Sequence, residues 1–221
     1  MNKKRILMVT TNTPKINDEI ETGVYFEEFA LPYLTFSATG YEVTVASPKG
    51  GISPVDPDSY SCSNPMEWDS TKKYLDNTKQ LSELNLDDYD VLFFPGGHGP
   101  MFDIAKDESV KLAVEHFYKK GKIVAAVCHG PAALVQAVTS DGEPVVKNRT
   151  VTSFTDKEEH IVKKDEFMPF SLQKKLEELG AIFVAEKPWS EHVEIDGNLI
   201  TGQNQNSALK IAEAVIEKLG F

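Results

Sequence analysis

The chain predicts an α/β sandwich: a mainly parallel sheet with helices on both faces. Three observations carry that reading. Strand and helix patterns alternate from one end to the other, which is the signature of layered α/β architecture. The 221 residues are 41% hydrophobic, enough for a sizeable core, and their number fits one large domain or a domain with an inserted cap. Several apolar runs break abruptly into glycine or turn residues, as strands do where they leave a sheet.

In chain order, Arg5–Thr10 reads as a short apolar strand. A helix is predicted over Gly23–Gly40, with Phe26, Phe29, Ala30, Tyr33 and Leu34 on one face and Gly40 as its stop. Pro32 lies inside it and cannot donate to the Glu28 carbonyl, so a bend is expected at Glu28. Glu42–Ser47 is the second strand. Residues 48–65 are rich in proline, glycine and serine and read as loop. Ser70–Leu84 is polar and weakly helical. Residues 50–85 together suggest a cap inserted into a single domain of residues 1–221. Asp90–Pro95 is a buried-type strand running into Gly96-Gly97-His98-Gly99-Pro100.

Asp107–Lys120 is an amphipathic helix with Val110, Val114 and Phe117 inward. Lys122–Val127 is the next strand. Val145–Phe154 holds short strand segments. Asp165–Leu179 reads as a helix closed by Gly180, Ala181–Glu186 as a strand, and His192–Ile195 with Asn198–Thr201 as a hairpin around Asp196-Gly197. Ser207–Leu219 is the last helix.

Composition narrows the function classes. With 34 acidic and 23 basic residues the net charge is −11, which repels nucleic acid and anionic membranes. No apolar run approaches the ~20 residues of a membrane helix. Met1-Asn2-Lys3-Lys4-Arg5 looks like the start of a signal peptide, but Ile6–Val9 is too short to continue one, so a cytoplasmic protein is expected. In that reducing compartment Cys62 and Cys128 are expected as free thiols. No phosphate-binding or dinucleotide glycine motif is present, which weakens dinucleotide and P-loop readings. The five histidines form neither His-x-His nor His-Glu-x-x-His, so no metal is expected.

The chemistry concentrates at Ile123-Val124-Ala125-Ala126-Val127-Cys128-His129-Gly130-Pro131. A strand that turns at once into a helix leaves its last side chain at the rim of the sheet, the geometry of a nucleophile elbow. Cys128 occupies that corner. The amides of the following helix are expected to lower the thiol pKa. A free cysteine is equally at home as a small buried apolar group. The Gly96–Gly99 loop falls at another strand end, where its amides could reach an oxyanion or simply serve a tight turn. Thr11-Asn12-Thr13 ends the first strand. His129 is adjacent to Cys128 but, on an elbow, need not point at it. Asp156, Glu158 and Glu159 follow a strand-like segment as candidate acids or as a solvated loop. Glu28, among apolar neighbours, would have a raised pKa if buried and could hydrogen-bond a thiolate.

Ala126-Val127-Cys128-His129-Gly130-Pro131, Pro95-Gly96-Gly97-His98-Gly99 and Thr22-Gly23-Val24 with Glu28 and Pro32 resemble the ThiJ/PfpI superfamily. More narrowly they resemble its heat-shock chaperone and glutathione-independent glyoxalase (glyoxalase III) branch. The resemblance covers nearly the whole chain, including Ser47–Gly51, Ser153–Asp156 and Leu199–Asn204. It implies a flavodoxin-like, doubly wound fold. It implies Cys128 as nucleophile, His129 as its histidine, Glu159 as the acid (with Glu158 the neighbour to test) and Glu28 beside the cysteine. The amides of Gly97 and His129 would bind the oxyanion.

The implied activity is conversion of methylglyoxal and glyoxal, small 2-oxoaldehydes, to D-lactate and glycolate without glutathione or another cofactor. Deglycation, holdase activity toward unfolded clients and homodimerisation also come with the resemblance. Rival readings are a chaperone or redox-sensing thiol protein, and a peptidase. A cap over Ser53–Leu84 would narrow the entrance against peptides.

Overall fold

The computed structural model describes residues 3–61 and 63–220. The n-region residues Met1 and Asn2, and Cys62, lie outside the described residues. The elements in order are β1 (Arg5–Val9), α1 (Phe26–Ala38), β2 (Glu42–Ser47), α2 (Met66–Lys72), β3 (Lys79–Gln80), β4 (Val91–Phe94), α3 (Glu108–Lys119), β5 (Ile123–Val127), β6 (Thr150–Val151), α4 (Asp156–Ile161), α5 (Leu172–Glu178), β7 (Ile182–Phe183), β8 (Val193–Asp196), β9 (Leu199–Gly202) and α6 (Ala208–Leu219).

Seven strands form one sheet in the order β3-β2-β1-β4-β5-β9-β8. Every pairing in it is parallel except β8 with β9. Side chains alternate along each strand, so the sheet feeds two cores. Leu7, Val9, Leu92, Phe94, Val124 and Ala126 pack with α3 and α5 on one face. Ile6, Met8, Val91, Phe93, Ala125 and Val127 pack with α1 and α6 on the other. This is a flavodoxin-like α/β sandwich. The chain runs from β1 outward to β2 and then crosses to β4, so the strand order reverses between β1 and β4. Ligands in such sheets bind beyond the carboxyl ends of the strands near that reversal.

Several expectations are corrected. The weakly helical stretch Ser70–Leu84 holds only the end of a helix, followed by a turn, the edge strand and a 3-10 turn. Its helix begins earlier, at Met66 after Pro65, and residues 79–80 add an edge strand to the sheet. The helix expected from Asp165 begins at Leu172, where the Ser171 hydroxyl accepts from the Lys174 amide and caps it. Asp165–Phe167 is a single 3-10 turn. The strand expected over Ala181–Glu186 is the two-residue β7, paired with β6 in a separate small sheet. The segment after Cys128 is a 3-10 helix of five residues, Gly130–Leu134, not an α-helix. The helix expected over 23–40 is α1, which starts at Phe26 and contains Pro32.

Segment 50–85 is tied down near the carboxyl ends of the strands. The Val24 amide donates to the Pro54 carbonyl at 2.8 Å and the Asp56 amide to the Val24 carbonyl at 2.9 Å. A β-carbon on Gly23 would lie 2.1 Å from the Pro54 oxygen, so only glycine allows the segment this close. Among the described residues no helix is long and apolar enough to cross a membrane.

The turn from β5 into Gly130 leaves equally little room. A β-carbon at Gly130 would sit 2.2 Å from the backbone oxygen of Phe94 on the neighbouring strand. Backbone cannot yield as a flexible side chain can. Gly130→Ala should therefore lose about 1–3 kcal/mol of stability, read as a lowered midpoint in urea denaturation.

Candidate active site

Three strand ends and one helix start build the site. Cys128 follows β5 with φ +60°, a left-handed backbone that non-glycine residues rarely adopt. Two backbone bonds hold it there. Its amide donates to the Gly202 carbonyl at the end of β9, and its carbonyl accepts from the Phe154 amide, both at 2.9 Å. A backbone outlier fixed from both sides is a feature of functional corners.

The next residue completes the first contact. Cys128 Sγ lies 3.4 Å from His129 Nδ1, so the adjacent histidine does reach the thiol. His129 Nε2 lies 2.7 Å from Glu159 Oε2. A carboxylate only accepts, so the proton sits on Nε2 and leaves Nδ1 free to take the thiol proton.

Glu159 arrives through helix capping. The Thr155 hydroxyl accepts from the Glu158 amide, and the Glu158 carboxylate accepts from both the Thr155 amide and its hydroxyl. The other Glu158 oxygen accepts from the Trp189 amide, Gln203 and Asn204. Glu158 is thus fully enclosed and spent on architecture. Its neighbour Glu159, one residue further round the first turn, faces the imidazole. Burial pushes Glu159 up, but His129 and then His98 more than offset it, and the carboxyl is held well below its usual range.

Glu28 comes from the first turn of α1 and is completely buried. Its Oε2 accepts from the Gly96 amide at 2.8 Å. The carboxyl also interacts with the Cys128 thiol by a side-chain hydrogen bond. Burial raises its pKa from an ordinary 4.5 to about 8, against those two hydrogen bonds. The Gly97 amide points at the Cys128 sulfur. Gly97 has φ +92°, and a β-carbon there would meet the Gly23 carbonyl at 2.3 Å.

The lowered thiol pKa expected from a following helix is not found. Burial, then the charge and hydrogen bond of Glu28, push Cys128 well up, with only the Gly97 amide opposing them among its main neighbours. The five-residue 3-10 turn has too few aligned peptides to reverse this. Cys128 is a free thiol, 4% exposed, resting at the floor of a cavity of about 160 Å³. Gly97, His98, His129, Phe154 and Trp189 wall the cavity, and Tyr25, Asp56, Asp58 and Lys164 reach it from the α1 start, the 50–85 segment and the chain after α4. Burial and the nearby Glu28 and Cys128 raise the Tyr25 phenol, which stays a hydroxyl donor.

Thr11-Asn12-Thr13 lies outside this cavity. Thr11 Oγ1 and the Asn12 amide donate to Asp103, each at 2.7 Å, and Asn12 holds the carbonyls of Gly50 and Ile52. Its role is to anchor the 50–85 segment. His98 is the group that sequence spacing missed. It sits at the end of the glycine loop, 61 residues from its partner, with Nε2 2.7 Å from Glu159 Oε1. The ligand atoms of His98, His129 and Glu159 lie within 4.8 Å of one another, a set that could hold a metal ion. The 2.7 Å contacts are those of hydrogen bonds between imidazole and carboxylate.

The site is a cysteine on a left-handed strand-to-turn corner of an α/β sandwich, with a histidine and an acid in line and a buried carboxyl beside it. The chain belongs to the DJ-1/PfpI family, whose pattern matches residues 19–218. It is 32% identical to glyoxalase 3 of Candida albicans, over 98% of each chain. It is 31% identical to a glutathione-independent glyoxalase of Saccharomyces cerevisiae, over 99% of each. The crystal structure of glyoxalase III from Candida albicans superimposes with a TM-score of 0.89 at 31% identity, over 97% of each chain.

The buried Glu28 links stability to pH. A carboxyl whose folded pKa is raised contributes stability present below the unfolded value and lost as pH rises through the folded value. The melting temperature of Glu28→Gln should therefore gain on wild type as pH rises from about 4.5 to about 8, then level off. Parallel melting curves across that range check this; a constant difference would mean that Glu28 is not protonated in the fold.

Proposed function

We propose that the protein is a glutathione-independent glyoxalase that converts methylglyoxal to D-lactate, and glyoxal to glycolate, with Cys128 as nucleophile. The observation that carries the reading is the Cys128 thiol and His129 imidazole lining one small cavity, 3.4 Å from sulfur to Nδ1, with the fully buried Glu28 carboxyl beside the sulfur. The names of the nearly full-length relatives supply the reaction class. Residues 50–85 act as a cap within a single domain of residues 1–221. They supply Asp56 and Asp58 to the cavity wall and keep it too small for a peptide. A free catalytic thiol suits the reducing cytoplasm.

His129 Nδ1 takes the thiol proton as sulfur bonds to the aldehyde carbon, giving a hemithioacetal. The raised thiol pKa keeps the resting group protonated, so this transfer accompanies attack. The Gly97 and His129 amides hold the developing oxyanion. The proton on the former aldehyde carbon then leaves, and the neighbouring carbon gains one through an enediol. Glu28, with a pKa of about 8, can hold or release a proton near neutrality and stands beside the sulfur, so it or His129 carries that proton. The product is a thioester of the 2-hydroxy acid. Water adds to it, the carbon–sulfur bond breaks, and the thiol recovers its proton. The sum is oxoaldehyde plus water to hydroxy acid, with no external oxidant or reductant.

Purified protein given methylglyoxal without glutathione should produce D-lactate. Cys128→Ala should produce none, and Glu28→Gln should lose at least about 100-fold in kcat. A wild type without turnover, together with a Cys128→Ser variant that still suppresses aggregation, would instead assign a holdase.

A further inference from the structure

Glu159 has two carboxylate oxygens, and the proposed triad accounts for one. The other is taken by His98. His98 Nε2 lies 2.7 Å from Glu159 Oε1, matching the 2.7 Å from His129 Nε2 to Oε2. The two imidazole rings lie 4.4 Å apart and Phe154 backs both. One carboxylate is therefore clamped between two imidazoles tilted 45° to each other. His98 is 8% exposed and Glu159 has 12% of its side chain exposed, so neither partner is easily replaced by water.

His98 also belongs to the loop that presents the Gly97 amide. Its side chain is anchored to α4, while the backbone one residue earlier points at the Cys128 sulfur. The same contact thus ties the oxyanion-side loop to the acid that orients the base.

We infer that His98 is a positioning residue: a neutral Nε2–H donor that locks the second oxygen of Glu159 and, through it, sets the orientation of His129 and the glycine loop. Burial first, and repulsion from His129 next, lower the His98 pKa against the pull of Glu159. A neutral ring with its proton on Nε2 gives the carboxylate a donor without placing a positive charge beside His129. His98 hydrogen-bonds Glu159 while the thiol meets His129, so His98 acts on geometry and not on proton transfer.

The inference rests on the glyoxalase reading for its kinetic arm only. His98→Phe keeps a ring against His129 and Phe154 but removes the donor. His98→Gln places an amide N–H near the lost Nε2–H. With methylglyoxal, kcat of His98→Phe should fall about 10–100-fold with KM within about 3-fold, because misplacing a catalytic group by a fraction of an ångström to 1 Å costs rates of that order. His98→Gln should return to within about 3-fold of wild type.

The second arm needs no turnover. With nitrogen-15-labelled histidine, wild type should show His98 and His129 both protonated at Nε2, each with a proton shifted far downfield by the carboxylate. His98→Phe should remove one such signal and displace the other; His98→Gln should retain the His129 signal near its wild-type position. Unchanged kcat in His98→Phe, equal loss in both variants, or an unmoved His129 signal would overturn the inference. If His98→Phe does not fold, His98→Leu takes its place against the same outcomes. A wild type without glyoxalase activity would remove the kinetic arm and the proposed function, and the histidine signals would still decide the role of His98.

Discussion

The site depends on the backbone of Cys128 being held at φ +60° by two backbone hydrogen bonds, one to Gly202 at the end of β9 and one from Phe154. Left alone, a cysteine would relax to an extended or right-handed conformation, gaining about 1–2 kcal/mol. The Gly202 carbonyl and Phe154 amide prevent that, and both sit on segments that are themselves fixed by the sheet and by Glu158. The parallel sheet therefore determines where the sulfur goes, and the sulfur's surroundings determine its chemistry. This also explains why the thiol is an uncharged group at rest. The corner that exposes it in an elbow is here roofed by α1, whose first turn brings Glu28 against it.

Burial gives the two carboxyl groups of the site opposite states. Glu28 meets one backbone amide and a thiol, and no cation, so it holds its proton to about pH 8. Glu159 meets two imidazoles and remains charged. A pair of like groups pushed apart by their surroundings is how one fold keeps one carboxyl neutral and the other charged.

Much of this was legible in the sequence, for physical reasons. Buried parallel strands are short apolar runs, so β1, β4 and β5 stood out, and the Cys-His-Gly-Pro corner stood out because it ends such a run. Glu28 was legible as a carboxyl among apolar neighbours at a helix start, whereas Glu27, equally placed between Phe26 and Phe29, is only half-buried. The edge strand β3 was not, because Lys79 and Gln80 are exposed and gain their conformation only by pairing with Ala46 and Ser47. The choice between Glu158 and Glu159 depends on a capping box, whose sequence signature Thr155-x-x-Glu158 was present and identifies the residue consumed by the cap. His98 was out of reach, since its meaning lies in an atom 61 residues away. The raised thiol pKa was not legible, because it comes from burial and from Glu28, which only the packing of α1 brings to the sulfur.

Gly96 shows how little slack the arrangement has. A single added carbon there would meet the His129 amide at 2.6 Å, a Glu28 oxygen at 2.7 Å and the Val127 carbonyl at 2.8 Å. Acid, elbow and loop are stacked within one atom's thickness, so changes among them combine non-additively. Adaptation toward larger or differently charged substrates has its freedom at the periphery, where Tyr25, Asp58, Lys164 and Trp189 border the opening, while the interior of the site can change only as a block.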